Sequence, residues 1–214
     1  MKVAILTSPN QWFVDYAKDL QLKIRDSVLF FEHKNLNESF DILFILGYHK
    51  IIEEKYLKLN LHNIVIHESD LPKGKGWAPL FWQILEGQDE IVFSMFEASN
   101  GIDNGNIYMK KRLILDGTEL NKQLRAKQAE LTIQMCLEFI KNYEKYKFSK
   151  PQVGEESFYK KRTEKDSELN IEKSINEQFN LFRIVDNENY PAFFYKGGEK
   201  YILKIEKSSD EKVF

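Results

Sequence analysis

Four short segments are apolar at every position: residues 3–6, 28–31, 42–46 and 64–66. A strand with one wet face alternates apolar and polar residues. Uninterrupted runs suit strands covered on both faces, as in a parallel sheet with helical crossovers. Between the first two runs, Trp12, Phe13, Tyr16, Ala17, Leu20 and Ile24 recur at helical spacing. This βαβ rhythm predicts an α/β fold with a Rossmann-like open sheet. Further strands are expected over 91–97 and 107–115. A helix is expected over 77–87, with Pro79 near its start and Gly87 at its end. A long amphipathic helix follows over 119–146, carrying Leu120, Leu124, Leu131, Met135, Leu137 and Ile140.

Near 147–162 the composition turns polar, and Ser149-Lys150-Pro151 breaks the helix. Two units are therefore expected: a main domain over 1–148 and a small C-terminal α+β appendage over 149–214. In the appendage, 171–182 reads as a short helix. Residues 192–195 and 200–205 flank Lys196-Gly197-Gly198-Glu199 as a β-hairpin. Such an appendage is too short for a robust core of its own. It packs on the main domain, covers a site, or pairs with another copy in a homodimer. Residues 207–214 are expected to fray.

Composition removes several function classes. Lys and Arg number 31 against 33 Asp and Glu, a net charge of -2, without the basic excess of a non-specific nucleic-acid binder. The one cysteine, Cys136, forbids an internal disulfide and any multi-cysteine metal site, and reads as a buried thiol. No metal is expected. No apolar run approaches the roughly 20 residues that span a bilayer. The first residues read as a strand and not as a signal peptide, so a cytoplasmic protein without a membrane partner is expected. After the first strand comes Thr7-Ser8-Pro9-Asn10, not a G-x-G-x-x-G loop, and no P-loop pattern occurs.

Chemistry-bearing residues gather at two places. Of four histidines, His33 and His62 stand among polar loop residues and read as solvated surface. His67 closes a central strand, at the sheet edge where open α/β folds bind ligands. A tight polar loop, Glu68 to Gly76, follows it. The second place is Ser99-Asn100-Gly101-Ile102-Asp103-Asn104-Gly105. Asp103 reads either as an Asx-type turn or as a partner of His67, since a carboxylate beside an imidazole orients it and favours its charged form.

Together the two places resemble the folate-dependent formyltransferases. That family carries a strand ending in His, a Ser-Leu-Leu-Pro-like loop, a Gly and a Pro, then an Asp-x-Gly-x-Ile turn. Here these are His67, Ser69-Asp70-Leu71-Pro72, Gly76, Pro79 and Asp103-Asn104-Gly105-Asn106-Ile107. The resemblance covers roughly residues 40–205. It implies transfer of a formyl group from 10-formyltetrahydrofolate to an amine, with His67 and Asp103 catalytic. The implied folate pocket uses Gly47 and Tyr48, with His49 beside them, then Leu71, Ala98, Ser99, Asn100, Gly101 and Ile102. The family has Asn two residues before the His; here Val65 stands there, and Asn63 is four before. Either Asn100 or Asn104 replaces it, or His67 and Asp103 work alone, or activity has been lost.

The wording around His67, and the tail over 182–194, look like the small formyltransferases of bacterial surface-sugar synthesis, above all those of pseudaminic acid genes. The implied acceptor is a nucleotide-linked amino sugar, in its most specific form UDP-4-amino-4,6-dideoxy-N-acetyl-altrosamine. Ser69, Asp70, Lys73, Lys75, Gly76, Arg162 and Arg183 are the implied acceptor-binding residues, the cations for its diphosphate. A tRNA acceptor fits poorly with the short appendage and balanced charge. A formyltetrahydrofolate hydrolase and a non-catalytic folate or nucleotide-sugar binding module are the alternatives.

Overall fold

The computed structural model describes residues 1–208. In chain order its elements are β1 (Val3–Leu6), α1 (Val14–Lys23), β2 (Val28–Phe30), β3 (Ile42–Ile45), α2 (Glu54–Leu57), β4 (His62–His67), β5 (Lys75–Gly76), α3 (Pro79–Leu85) and β6 (Glu90–Glu97). Then come β7 (Ile107–Ile114), α4 (Asn121–Lys141), α5 (Tyr143–Tyr146), β8 (Phe158–Tyr159), α6 (Phe179–Ile184), β9 (Ala192–Lys196) and β10 (Glu199–Leu203). Six strands form one sheet in the order β2-β1-β3-β4-β6-β7. The first four are parallel, and β6 and β7 run antiparallel.

β1 and β3 are buried at every residue, as their unbroken apolar runs require. One face of the sheet packs Ile5, Phe44, Ile64 and Phe93 against α1, α3 and α4, with Cys136 and Phe139 of α4 fully buried. The other face is a smaller core of Leu6, Leu36, Phe40, Leu43 and Ile45, covered by Tyr56 and Leu57 of α2. Successive side chains of a strand point to opposite faces. His62, Ile64 and Ile66 therefore face α4, while Asn63, Val65 and His67 face the smaller core.

The segment after α5 is tied to the main sheet. Ile107 and Lys150 exchange two main-chain hydrogen bonds, of 2.7 and 2.8 Å. β8 then pairs with β5 in parallel. Further on, Leu169, Phe182, Val185 and Ala192 form a small cluster of their own. β9 and β10 make the hairpin, turned by Gly197 (φ 62°) and Gly198 (φ 88°), both at left-handed angles that glycine adopts without steric cost. Among the described residues no helix is long and apolar enough to cross a membrane.

Three local expectations change. The helix expected over 171–182 is confined to α6 and a preceding short 3-10 turn at Asn176–Gln178. Upstream, Gln178 bonds the main chain of Asn170 and Lys173, and Glu177 bonds Ser174, so polar side chains hold turns in place of helix. His33 and His62 are not solvated surface. His33 Nε2 meets Glu53 at 2.6 Å and its Nδ1 meets the Tyr48 hydroxyl at 2.6 Å. His62 sits between the Tyr108 and Tyr143 hydroxyls at 2.9 and 2.8 Å. Of the tail expected to fray, Lys207 donates to Thr118, and residues 209–214 lie outside the described residues.

Candidate active site

His67 ends β4 with its side chain almost wholly buried. Its Nε2 lies 2.8 Å from the Gly74 carbonyl oxygen. A carbonyl only accepts, so Nε2 carries the hydrogen and the ring lone pair sits on Nδ1. Nδ1 has no hydrogen-bond partner among the described residues, which leaves it free to take a proton. The Asp103 carboxylate stands 3.6 Å from the same Nε2, alongside the Gly74 bond.

The placement of Asp103 depends on a loop that doubles back. Because β6 is antiparallel, the chain leaves the sheet beside Ile64, three residues before His67. Gly105 then presses on the β6 backbone; a Cβ there would collide with the Glu97 carbonyl oxygen. Asp103 is left-handed at φ 49°, a conformation in which Asp is enriched among non-glycine residues. The Gly76 N–H donates to Asp103 Oδ2 at 2.8 Å. Gln152, in the segment that pairs with Ile107, donates to the main-chain oxygens of Asp103 and Gly105 at 2.7 and 2.8 Å. The loop is thus held from both sides.

The residues expected around a folate flank this pair. Gly47 is left-handed, with its Cβ position against the Gln11 amide. The Tyr48 hydroxyl accepts from the His33 N–H and is committed to that histidine. Leu71 is buried beside a cis Leu71–Pro72 bond, its N–H on Ser94 and its oxygen on Lys110. The Ala98 N–H donates to the Asn63 carbonyl at 2.6 Å. Residues 102 and 103 form a tight turn, while the main-chain groups of Ser99 and Asn100 take no hydrogen bond among the described residues. That edge of open donors and acceptors fits a flat heterocycle such as a pterin.

Neither proposed replacement for the missing asparagine touches His67. Asn104 accepts from Lys75, and Asn100 is exposed. Asn63 is buried and spends its side chain on Leu57, Asn60 and Glu97. Val65 packs with the smaller core.

The expected acceptor residues divide. Ser69 is buried with an unpartnered hydroxyl, Asp70 pairs with Lys110, Lys73 is exposed, and Gly76 holds Asp103. Lys75 and Arg183 differ from their expected role as phosphate cations. Lys75 is 1% exposed and bonded to Asn104 and Glu156. Arg183, also 1% exposed, bridges Asp89 and Glu119 at 2.9 and 3.1 Å. Both charges are paired with carboxylates of the chain, and both side chains tie later segments to the main domain. Arg162 remains, with its Nε buried and unpartnered.

Sequence reading passed over Arg125. Its guanidinium lies 4.3 Å from the ring centres of both Trp12 and Phe81 and donates to Gln128 at 3.0 Å. Burial pulls its pKa down to about 10. On α4 it reads as one more solvated cation, and only the packing of Trp12 and Phe81 around it marks it out. Burial, then the charges of Lys161 and Arg125, hold His49 below the ordinary imidazole value. Gln152, Gly74 and Gln128 also escaped notice, since each acts through geometry that no spacing announces.

A paired His and Asp behind a strand-end loop is an arrangement that several folds can host, so comparison with known proteins is informative. Residues 27–140 match the family model described as formyl transferase. The chain is 27% identical, over 75% of its length, to methionyl-tRNA formyltransferase of Thermodesulfovibrio yellowstonii. It covers 52% of that relative, and it spans about half or less of the length of the first curated relatives it matches. Two solved structures share the fold. Methionyl-tRNA formyltransferase from Clostridium thermocellum gives a TM-score of 0.81 at 19% identity, with 99% of this chain and 95% of that one covered. A sugar N-formyltransferase from Shewanella gives 0.71 at 12% identity, with 99% of each covered. The family match includes the strand, loop and turn that carry His67 and Asp103, and it extends over more than half of the chain: the protein belongs to the formyl transferase family.

Proposed function

We propose that this chain transfers a formyl group from 10-formyltetrahydrofolate to the amine of a nucleotide-linked amino sugar. The observation that carries the reading is the state of His67: Nε2–H is held by the Gly74 carbonyl with the Asp103 carboxylate 3.6 Å from the same Nε2, and Nδ1 has no hydrogen-bond partner among the described residues. An amine attacks only when neutral, and it becomes acidic as it bonds to the formyl carbon. His67 Nδ1 takes that proton. The Asp103 carboxylate favours the imidazolium so formed, and the charged ring in turn faces the oxyanion of the tetrahedral intermediate. With Val65 in place of an asparagine, that charge carries the oxyanion without a neighbouring side-chain amide. The proton then returns to the departing folate nitrogen.

The open main-chain groups of Ser99 and Asn100 support a folate on one side of His67. The wording from His67 to Pro79 supports a nucleotide-linked 4-amino sugar as acceptor, the pseudaminic acid precursor being the most specific form. Val65 favours a second reading, a non-catalytic folate- or nucleotide-sugar-binding module. The test is mass spectrometry of a panel of UDP- and dTDP-linked 3-amino and 4-amino sugars incubated with 10-formyltetrahydrofolate. One sugar gains the mass of CO, and His67→Ala abolishes the gain while the circular dichroism is unchanged. Loss of formyl from the donor without any amine product would establish the hydrolase instead. A His67→Ala variant that transfers at the wild-type rate would sink the mechanism.

A further inference from the structure

Buried cations in this protein come in two kinds. Lys75 and Arg183 each contact a carboxylate, the half-exposed Glu156 for Lys75 and the buried Glu119 for Arg183. Arg125 and Arg162 meet none within ion-pair distance among the described residues, and Lys161 beside them meets none either. Arg125 is half-buried between two aromatic rings, and its one hydrogen bond goes to a neutral amide. Arg162 bonds only the main chain of Asp166 and the Ser167 hydroxyl, with its guanidinium 5.9 Å from the same Phe81 ring. Lys161 Nζ sits 5.1 Å over Trp77, and Trp77 stacks on His49 at 6.4 Å. The carboxylates that favour the Arg125 charge, Glu68 and Asp186, act at a distance; the Asp166 carboxylate is engaged by Lys160 and Thr163. Asp166 also favours the Arg162 charge, but no carboxylate touches either guanidinium among the described residues; half-buried positive charge without a contacting counter-charge is costly, and an anion that arrives offsets the cost.

The position of this cluster fits an acceptor. Trp12, His49 and Trp77 follow β1, β3 and β5, on the side of the sheet edge where β1 and β3 end. Of the segments expected around a folate, the 98–102 loop follows β6, on the other side of β4, while Gly47 and Tyr48 adjoin this cluster after β3. A short chain joins the cluster to the catalytic pair. Glu68, next to His67, accepts from Gln128 at 2.5 Å, and Gln128 accepts from Arg125.

We propose that Arg125 and Arg162, with Lys161 at the rim, bind the diphosphate of the acceptor. The proposal rests on the reading above for its occupant. Guanidinium forks match phosphate oxygens in a way a lysine does not, and two of them held on aromatic faces are already desolvated and aimed. Lys75 and Arg183 are excluded from this role by their internal partners.

Isothermal calorimetry on the full chain tests it, with UDP, dTDP and inorganic pyrophosphate in one arm and 5-formyltetrahydrofolate in the other. Arg125→Met keeps a flexible side chain between Trp12 and Phe81. It weakens all three diphosphates at least about tenfold, the loss of one charged hydrogen-bonding partner, and leaves the folate within about twofold. Arg162→Gln, on a different segment, acts in the same direction. The melting temperature of Arg125→Met is unchanged or higher, because an uncompensated charge has gone; a structural arginine would lower it. Wild-type protein that binds the folate but no diphosphate overturns the proposal, as does wild-type diphosphate affinity in both variants. A loss confined to the folate arm assigns the anion to the donor's carboxylates and overturns it too. Arginine-dependent diphosphate binding without formyl transfer to any amino sugar upholds this site and refutes the reaction.

Discussion

Replacing Asp103 by Asn isolates its charge. Asn is also enriched at left-handed φ, so the 49° φ is retained, and its Oδ1 can still accept from the Gly76 N–H. What goes is the negative charge 3.6 Å from His67 Nε2. At an effective dielectric of about 20, a unit pair at that separation is worth about 4–5 kcal/mol. Water at the carboxylate, 18% exposed, trims this to about 3 kcal/mol, or about 100-fold in rate. The charge on His67 exists only after it has taken the amine proton, so the loss falls on kcat and not on KM. Steady-state formyl transfer at saturating donor, followed by mass spectrometry, reads it directly. Asp103→Ala supplies the control: it orphans the Gly76 N–H and strains the left-handed position, so it lowers thermal stability as well as rate. A kcat for Asp103→Asn within about threefold of wild type would refute the assignment of the carboxylate to stabilising imidazolium.

Gly105→Ala forces a Cβ into the Glu97 carbonyl, so it displaces the loop and removes activity while the folate affinity falls with it, which calorimetry and turnover report together. Lys75→Met leaves Asn104 and Glu156 without their cation; the Glu156 side chain is half exposed and regains water, so the loss in a urea melt is about 1–3 kcal/mol, with no change in diphosphate affinity. Burial holds the His62 pKa below 6.5, against the opposing pull of Glu97 and Asp41. Below 6.5 the unfolded chain therefore binds the proton that folded His62 resists, and stability falls with falling pH; His62→Gln removes that part of the slope in pH-resolved thermal melts, and an unchanged slope would contradict it.

The sheet was legible because β1 and β3 are apolar without interruption and β4 carries the run Ile64-Val65-Ile66, a pattern that burial on both faces enforces. The direction of β6 was not legible. Its residues fit either orientation, and the turn-rich loop to β7 alone hints at an antiparallel pair. His67 could be placed at the end of its strand, and Asp103 on its loop. Their meeting could not be read from spacing, because it depends on Gly105 lying against the β6 backbone and on Gln152 reaching in from nearly fifty residues away. His33 and His62 misled for a related reason: their sequence neighbours are polar, while the groups that bury them are tyrosines and carboxylates far along the chain.

The cations show the limit most clearly. A sequence gives each lysine and arginine the same charge and a long stem, so the glycine-flanked Lys75 looks a good phosphate ligand and Arg125, in the second turn of α4, draws no notice. The fold reverses the order through the company each one keeps. Lys75 is bonded to Glu156, just before the strand that pairs with its own, and to Asn104 on the β6–β7 loop, and there it braces the loop that carries Asp103. Arg125 is left with aromatic faces and an amide, which stabilise a guanidinium's plane without cancelling its charge. Neutralised cations build the site and un-neutralised ones are left to meet the ligand. Exchange of the two roles, by placing a carboxylate one turn back along α4 from Arg125 with Lys122→Glu at an exposed position, would therefore cost diphosphate affinity without touching any residue of the catalytic pair.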